Sequence, residues 1–290
     1  NTTGAFNTAV GAISLDANTT GQTNTAVGYD SLGANTTGDE NAAFGQNTLK
    51  ANTTGNYNTA CGRSALQAAT TASNNTAVGA SALYANTTGG GNIALGASAL
   101  LGNTTGHSNT SVGFAALASN TTAIANTAVG RDALYSNTTG QYNTAVGYQT
   151  LDANTTGYEN TVIGRGALGA NTTGYRNTVG GQAAMYANTT GANNTAFGHT
   201  ALGANTTGTK HTALGAYAGD AVSTSNGTTC IGAFAGTSYT GHNITAVGLN
   251  AARTCTTSEQ MTAVGDNALY SCGSGGAYSV AVGTNALYSL

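Results

Sequence analysis

Asn143-Thr144-Ala145-Val146-Gly147-Tyr148-Gln149-Thr150-Leu151-Asp152-Ala153-Asn154-Thr155-Thr156-Gly157-Tyr158-Glu159 is one copy of a 17-residue unit that recurs along the whole chain. With its first Asn as position 1, the consensus reads N-T-A-V-G-x-x-A-L-x-A-N-T-T-G-x-x. The Gly at position 5 recurs every 17 residues from Gly11 to Gly232. It continues at Gly248, Gly265 and Gly283 with spacings of 16, 17 and 18. A fixed period of this kind signals a stacked repeat architecture, with each copy one structural unit.

Each copy holds two short apolar segments, positions 3 and 4 (Ala145, Val146) and positions 8 and 9 (Ala133, Leu134). Neither is long enough for a stable helix, and a Gly in every copy argues against one continuous helix. Short strands joined by tight turns are the expectation: an all-β parallel β-solenoid, or β-roll, of seventeen 17-residue coils. Stacked one strand spacing (about 4.8 Å) apart, the coils would extend roughly 80 Å and align identical residues in columns. Asn at positions 1 and 12, such as Asn24 and Asn18, would then form amide ladders. The position-5 Gly is expected to have positive φ, or to sit where a Cβ would strike the next coil. The Gly at position 15 is less strict, since Ala72 and Ala123 replace it. Positions 6, 7, 10, 16 and 17 vary freely, as at Tyr29, Arg63, Tyr148 and Arg165, and are expected to face outward. One Val and one Leu per coil is a thin core for a solitary solenoid. Apolar faces shared between chains in a homo-oligomeric fibre, most simply a trimer, follow from that.

Composition excludes other classes. Charged residues are 6% of the 290, Gly numbers 43, and Pro and Trp are absent, far from the quarter of charged residues in ordinary globular proteins. Seven Lys and Arg and a net charge of −3 leave no electrostatic footprint for nucleic acid. No apolar run is long enough to insert in a membrane, and Asn1-Thr2-Thr3-Gly4 lacks the blocks of a signal peptide. The chain opens inside a repeat, so a longer parent protein is expected. Residues 1–208 keep the consensus. In 209–290 the Asn-Thr-Thr-Gly block disappears, Gly219 and Gly236 replace the position-9 Leu, and coil length varies, as in a cap or a junction.

Twelve Asn-Thr-Thr sequons occur, at Asn1, Asn18, Asn35, Asn52, Asn86, Asn103, Asn120, Asn137, Asn154, Asn171, Asn188 and Asn205, with further sequons at Asn74, Asn109, Asn193, Asn226 and Asn243. They read either as acceptors of covalent glycans, which would solubilise a fibre poor in charge, or as turns in which Asn bonds the local backbone; the two are compatible only if the Asn points outward. Cys255 and Cys272 both stand at position 12 of adjacent coils, where stacking would bring their Cα atoms to about 4.8 Å, within disulfide range; such a bond implies an oxidising compartment. Cys61 replaces the position-4 Val and Cys230 the position-3 Ala, so both read as buried small hydrophobes. No metal-ligand spacing occurs and no cofactor is expected. Gly164-Arg165-Gly166-Ala167-Leu168-Gly169 matches a dinucleotide fingerprint, which requires a flanking strand and helix, and reads here as a product of the Gly-rich repeat. His107, His199, His211 and His242 fall in different coils without a companion nucleophile and read as surface residues, so no catalytic group is assigned. Tyr84, Tyr135, Tyr186 and Tyr270 share position 10 and are the candidate contacts for a host-surface ligand.

The A-V-G-x-x-A-L core, above all Ser279-Val280-Ala281-Val282-Gly283-Thr284-Asn285-Ala286-Leu287, resembles the head repeats of YadA-like trimeric autotransporter adhesins. The longer Asn-Thr-Ala-Val-Gly…Asn-Thr-Thr-Gly form is similar to repeats of phage-type tail fibres and bacterial surface proteins. The resemblance covers nearly the full chain and implies a left-handed parallel β-roll with three chains side by side in an extracellular fibre of a cell surface or virion, or an adhesin head. The chain departs from the adhesin pattern in its period, 17 residues instead of a shorter repeat.

Overall fold

The computed structural model describes residues 2–256, 260–272 and 278–289. The chain is an all-β parallel solenoid, and no helix occurs among the described residues. It forms two compact units, Asn1–Asn143 and Thr144–Leu290. The first carries three-residue strands from Thr8–Val10 to Thr127–Val129, the second from Thr144–Val146 to Val280–Val282. The compositional change near residue 208 falls inside the second unit.

Within each unit, strands of successive coils pair in parallel and in repeat register: Thr8 faces Thr25, Ala9 faces Ala26 and Val10 faces Val27. The irregular coils keep the alignment by placing Thr262 opposite Val280. Among the described residues each coil has one strand, at positions 2 to 4, and not the two that its apolar segments suggest. The second segment is a corner: the position-9 Leu has left-handed φ, as at Leu32 (51°) and Leu134 (52°), and so does position 7, as at Asp30 (54°) and Ser81 (58°). Position 17 is the third such corner, as at Tyr57 (58°).

Left-handed φ costs a side-chain-bearing residue on the order of 1–2 kcal/mol. The corners offset that cost by bonding to the neighbouring coil. Asp30 N–H donates to the Ala12 carbonyl (3.1 Å), Leu32 N–H to Thr48 (3.0 Å) and Glu40 N–H to Gln22 (3.0 Å). The ladder of backbone bonds therefore continues around the corners, where no strand is formed. Thr at position 13 adds a side-chain bond of the same kind, Thr36 Oγ1 donating to the Thr53 carbonyl at 3.0 Å.

Position-5 glycine meets both expected demands. Gly28 has φ 135°, and a Cβ on it would lie 2.5 Å from the carbonyl oxygen of Gly45, closer than any real contact. The strand's alternation sends Ala26 inward and fully buries it, and Leu32 is buried beside it. Val27 points the other way. No described residue at position 4 is buried in either unit, which corrects the assignment of this column to the core: in a three-residue strand whose middle residue faces in, both flanking side chains face out.

Candidate functional site

The space the Val column leaves inside is filled by amides. The position-15 residue presents its carbonyl to the interior, and two Asn side chains meet it. The Gly38 oxygen accepts from Asn24 Nδ2 at 2.8 Å and from Asn35 Nδ2 at 3.0 Å. Asn35 Nδ2 also donates to Asn18 Oδ1 in the preceding coil at 2.9 Å, and Asn52 repeats this onto Asn35 at 2.7 Å. The position-1 column makes a parallel ladder, Asn58 Nδ2 donating to Asn41 Oδ1 at 3.0 Å. These amides share the interior with the buried Ala and Leu columns.

That placement overturns the glycan assignment. Asn18, Asn35, Asn52, Asn86, Asn103, Asn120, Asn137, Asn154, Asn171, Asn188 and Asn205 are all buried. In Asn103, for example, the nitrogen a glycan would occupy already donates to Asn86 Oδ1 and the Gly106 carbonyl. A sugar there would displace two bonds and find no volume. Asn1 lies outside the described residues. Among the other sequons Asn109 is buried, whereas Asn74, Asn193, Asn226 and Asn243 are exposed; they begin in the outward position-16 and position-17 columns, so their geometry leaves them open to modification.

Cys255 and Cys272 take the position-12 places of two stacked coils, with Cα atoms 4.8 Å apart and their sulfurs bonded. Cys230 is buried, and burial pushes its thiol up to about 12, so it is an inert packing residue. Cys61 is not its counterpart. It is exposed, in register between Phe44 and Val78, because position 4 faces out.

His107, His199 and His242 are exposed, but His211 is 1% exposed and takes the position-1 place of an Asn. Its Nδ1 accepts from the Thr228 N–H at 3.2 Å, as the Asn oxygens do elsewhere, which puts the ring proton on Nε2. Nε2 points toward the Ser225 carbonyl without closing a good bond. Burial is the largest cause that holds the imidazole at about 4, well below its ordinary value, opposed by the Ser225 carbonyl and assisted by His242. This histidine is a core amide substitute and not a surface group.

The outward face is dominated by position 4. Val10, Phe44, Val78 and Leu95 in the first unit, and Ile163, Phe197, Leu214 and Val282 in the second, are exposed, from 37% at Leu95 to 68% at Val282. Cys61 is exposed with them, and the remaining members are half-buried. A strip about 10 Å wide that advances about 4.8 Å per coil covers about 400 Å² over eight strands, the size of the largest apolar patches on monomers, which are often functional. No charged residue occurs at position 2 or 4 in any coil. A signal for this was present: the column accepts Gly180 beside Phe197, whereas position 9 is nearly always Leu. The Phe197 ring lies over Gly180, where a Cβ would collide with it, an accommodation that a surface allows.

The position-10 tyrosines Tyr84, Tyr135 and Tyr186 are exposed. Tyr84 and Tyr135 stand three coils apart and form no shared patch. Tyr270 instead stacks on Tyr288 with ring centroids 5.0 Å apart. The Gly164–Gly169 motif opens no helix: Gly164 is a position-5 glycine, and the following residues form the coil corner. Among the described residues no cluster of His, Cys, Asp and Glu could hold a metal ion, and no helix is long and apolar enough to cross a membrane. Comparison with protein-family models, with curated proteins and with solved structures returns no match.

Proposed function

We propose that this chain is a structural repeat protein that self-associates into an extracellular fibre through its position-4 ladder. The observation that carries the reading is an uncharged apolar strip on the outside of a coil whose interior is already filled by its Ala, Leu and Asn columns. A strip of about 400 Å² in each unit is roughly half of what one partner contributes to a standard interface, and the adjoining Thr and variable columns supply the rest. A second copy of the same chain is the occupant that fits best. A strip without charges meets its own copy with no like-charge repulsion, and the two ladders share one axial repeat. A symmetric homo-oligomer that covers one strip per chain, whether a twofold dimer or the trimer expected from the sequence, satisfies this requirement. A disulfide at Cys255 and Cys272 suits an oxidising exterior such as a cell surface or virion.

Sedimentation equilibrium on the 290-residue chain tests the reading, with Cys61 as an internal probe. The wild type should sediment as an oligomer and its Cys61 thiol should react slowly with a maleimide. The Phe44→Lys/Val78→Lys variant, altered only at outward positions, should keep its β-type circular dichroism, sediment as a monomer and label at the rate of an exposed thiol. A monomeric wild type at 100 μM order of concentration, or a lysine variant that still associates, refutes the interface.

A further inference from the structure

In the second unit the outward columns open into a notch of about 240 Å³, lined among others by Tyr148, Gln149, Arg165, Gly166, Gln182 and Tyr186. Its origin is in the sequence. Gly166 is the position where the middle of three stacked coils lacks the side chain that its neighbours Gln149 and Ala183 carry. Gly169 lacks one at position 10, and the Tyr186 ring closes over that gap, 3.1 Å from where a Cβ would be. Position 7 is left-handed in every described coil, and Gly166 shares this at φ 61°, yet Asn fills the same backbone at Asn47 and Asn267 (57° and 52°). The fold therefore does not require glycine here, and the notch is a local departure from the repeat.

The lining has a specific chemistry. Tyr148 and Tyr186 are both exposed, at 43% and 57%, and offer ring faces. Gln149 and Gln182 offer amide donors and acceptors. Arg165 brings a guanidinium with no ion pair among the described residues, unlike Arg131 and Arg176, whose carboxylates are Asp132 and Glu159. No carboxylate lines the notch. Aromatic faces take the C–H face of a sugar ring, amides take its hydroxyls, and a free guanidinium takes a carboxylate in bidentate fashion. The volume accommodates one six-membered ring and little more.

We infer that this notch binds a single acidic sugar residue, with its carboxylate on Arg165, its ring against Tyr186 and its hydroxyls on Gln149 and Gln182. The binding is a property of the variable columns and is independent of the position-4 ladder.

Saturation-transfer NMR on the full chain, with methyl β-D-glucuronide as the probe and methyl β-D-glucoside as its neutral counterpart, tests the assignment. The glucuronide should receive saturation and bind at least tenfold more tightly than the glucoside. Arg165→Gln should remove that preference, and Gly166→Asn, which fills the floor with a residue the same column accepts elsewhere, should abolish binding of both. Sedimentation of the two variants should match wild type, and the Phe44→Lys/Val78→Lys variant should still bind the sugar, so that loss of either property is attributable to its own surface. No transfer to the glucuronide, equal affinity for the two glycosides, or a glucuronide affinity unchanged in Arg165→Gln overturns the proposal.

Discussion

In a regular coil Asn35 fills position 12, donating to Asn18 in the coil before and to the Gly38 carbonyl three residues on. In the divergent coils Tyr239 stands at that position. Its hydroxyl donates to the His242 carbonyl, also three residues on, at 2.7 Å. Val222 and the Cys255–Cys272 pair complete the column with apolar atoms, and Ile244 and Met261 replace Asn at position 1. The larger side chains need room. Gly219 and Gly236 supply it at position 9, where a Cβ would stand 3.1 Å from Leu202 and 2.7 Å from the Cys230 sulfur respectively.

An amide ladder is directional, and its ends are where it is costly. Each Nδ2 donates backward, so the last Oδ1 of a run has no donor. Asn205 is the last before Val222, and Asn52 the last before Ala69; both oxygens are buried without a partner. At the seam between the two interiors His211 Nε2, Ser225 Oγ and Thr228 Oγ1 are unpaired as well. An apolar interior has no such ends, but loses the bonds that fix register.

The largest effect tests what the two regions share. A methyl at Gly79 would lie 2.5 Å from the Gly96 carbonyl at φ 137°, and Gly248 is in the same state at 133°. Gly79→Ala and Gly248→Ala should each cost more than about 4 kcal/mol, measured by hydrogen exchange of the flanking strands. A mild effect at Gly248 would mean that the divergent coils can shift apart where regular ones cannot.

Asn120→Ala removes two donated bonds, to Asn103 and Ala123, and the bond accepted from Asn137, and leaves Asn103 Oδ1 buried and unpaired. A loss of about 3–4 kcal/mol is expected in urea unfolding. Reduction of the Cys255–Cys272 bond should cost about 3 kcal/mol for a loop of this size and raise exchange in the divergent coils alone. Faster exchange near Asn103 on reduction would show the two interiors to be coupled.

His211 gives the divergent region a pH dependence. Its folded pKa of about 4 lies below the unfolded value of about 6.5, so between those values the unfolded chain binds more protons. The stability it allows is complete above about pH 6.5, falls as pH drops toward 4, and amounts to about 3–4 kcal/mol. His211→Asn should flatten that slope in pH-dependent denaturation. The smallest effect is a repair: Ala69→Asn with Ala72→Gly restores a donor to Asn52 Oδ1 and an acceptor to Asn86, and should raise the melting midpoint by the equivalent of about 1–2 kcal/mol. A decrease would show that the break at Ala69 has been packed closed.

Much of this was legible in the chain. Gly28 and its equivalents announced a backbone that stacks on itself, Asn18 and Asn24 announced ladders, and Cys255 and Cys272 announced proximity, because a fixed period turns sequence separation into spatial contact. The sidedness was not legible. Val27 and Leu32 are both aliphatic, and hydrophobicity alone assigns both to the core, so Cys61 was misplaced with its column. The same ambiguity left Asn18 open between an outward glycan acceptor and a turn residue bonding the local backbone, and sent His211 to the surface, because a polar residue is ordinarily exposed.

By itself the sequence determined the repeat, the strand direction, the register and the columns, since these depend only on period and backbone hydrogen bonding. The tertiary structure alone decided which column faces in. The left-handed corners at positions 7, 9 and 17 turn the position-15 carbonyl into the coil, and a buried carbonyl must be met by a donor. Asn therefore occupies the centre and Val is left outside, on the face where the chain has most to gain from a partner.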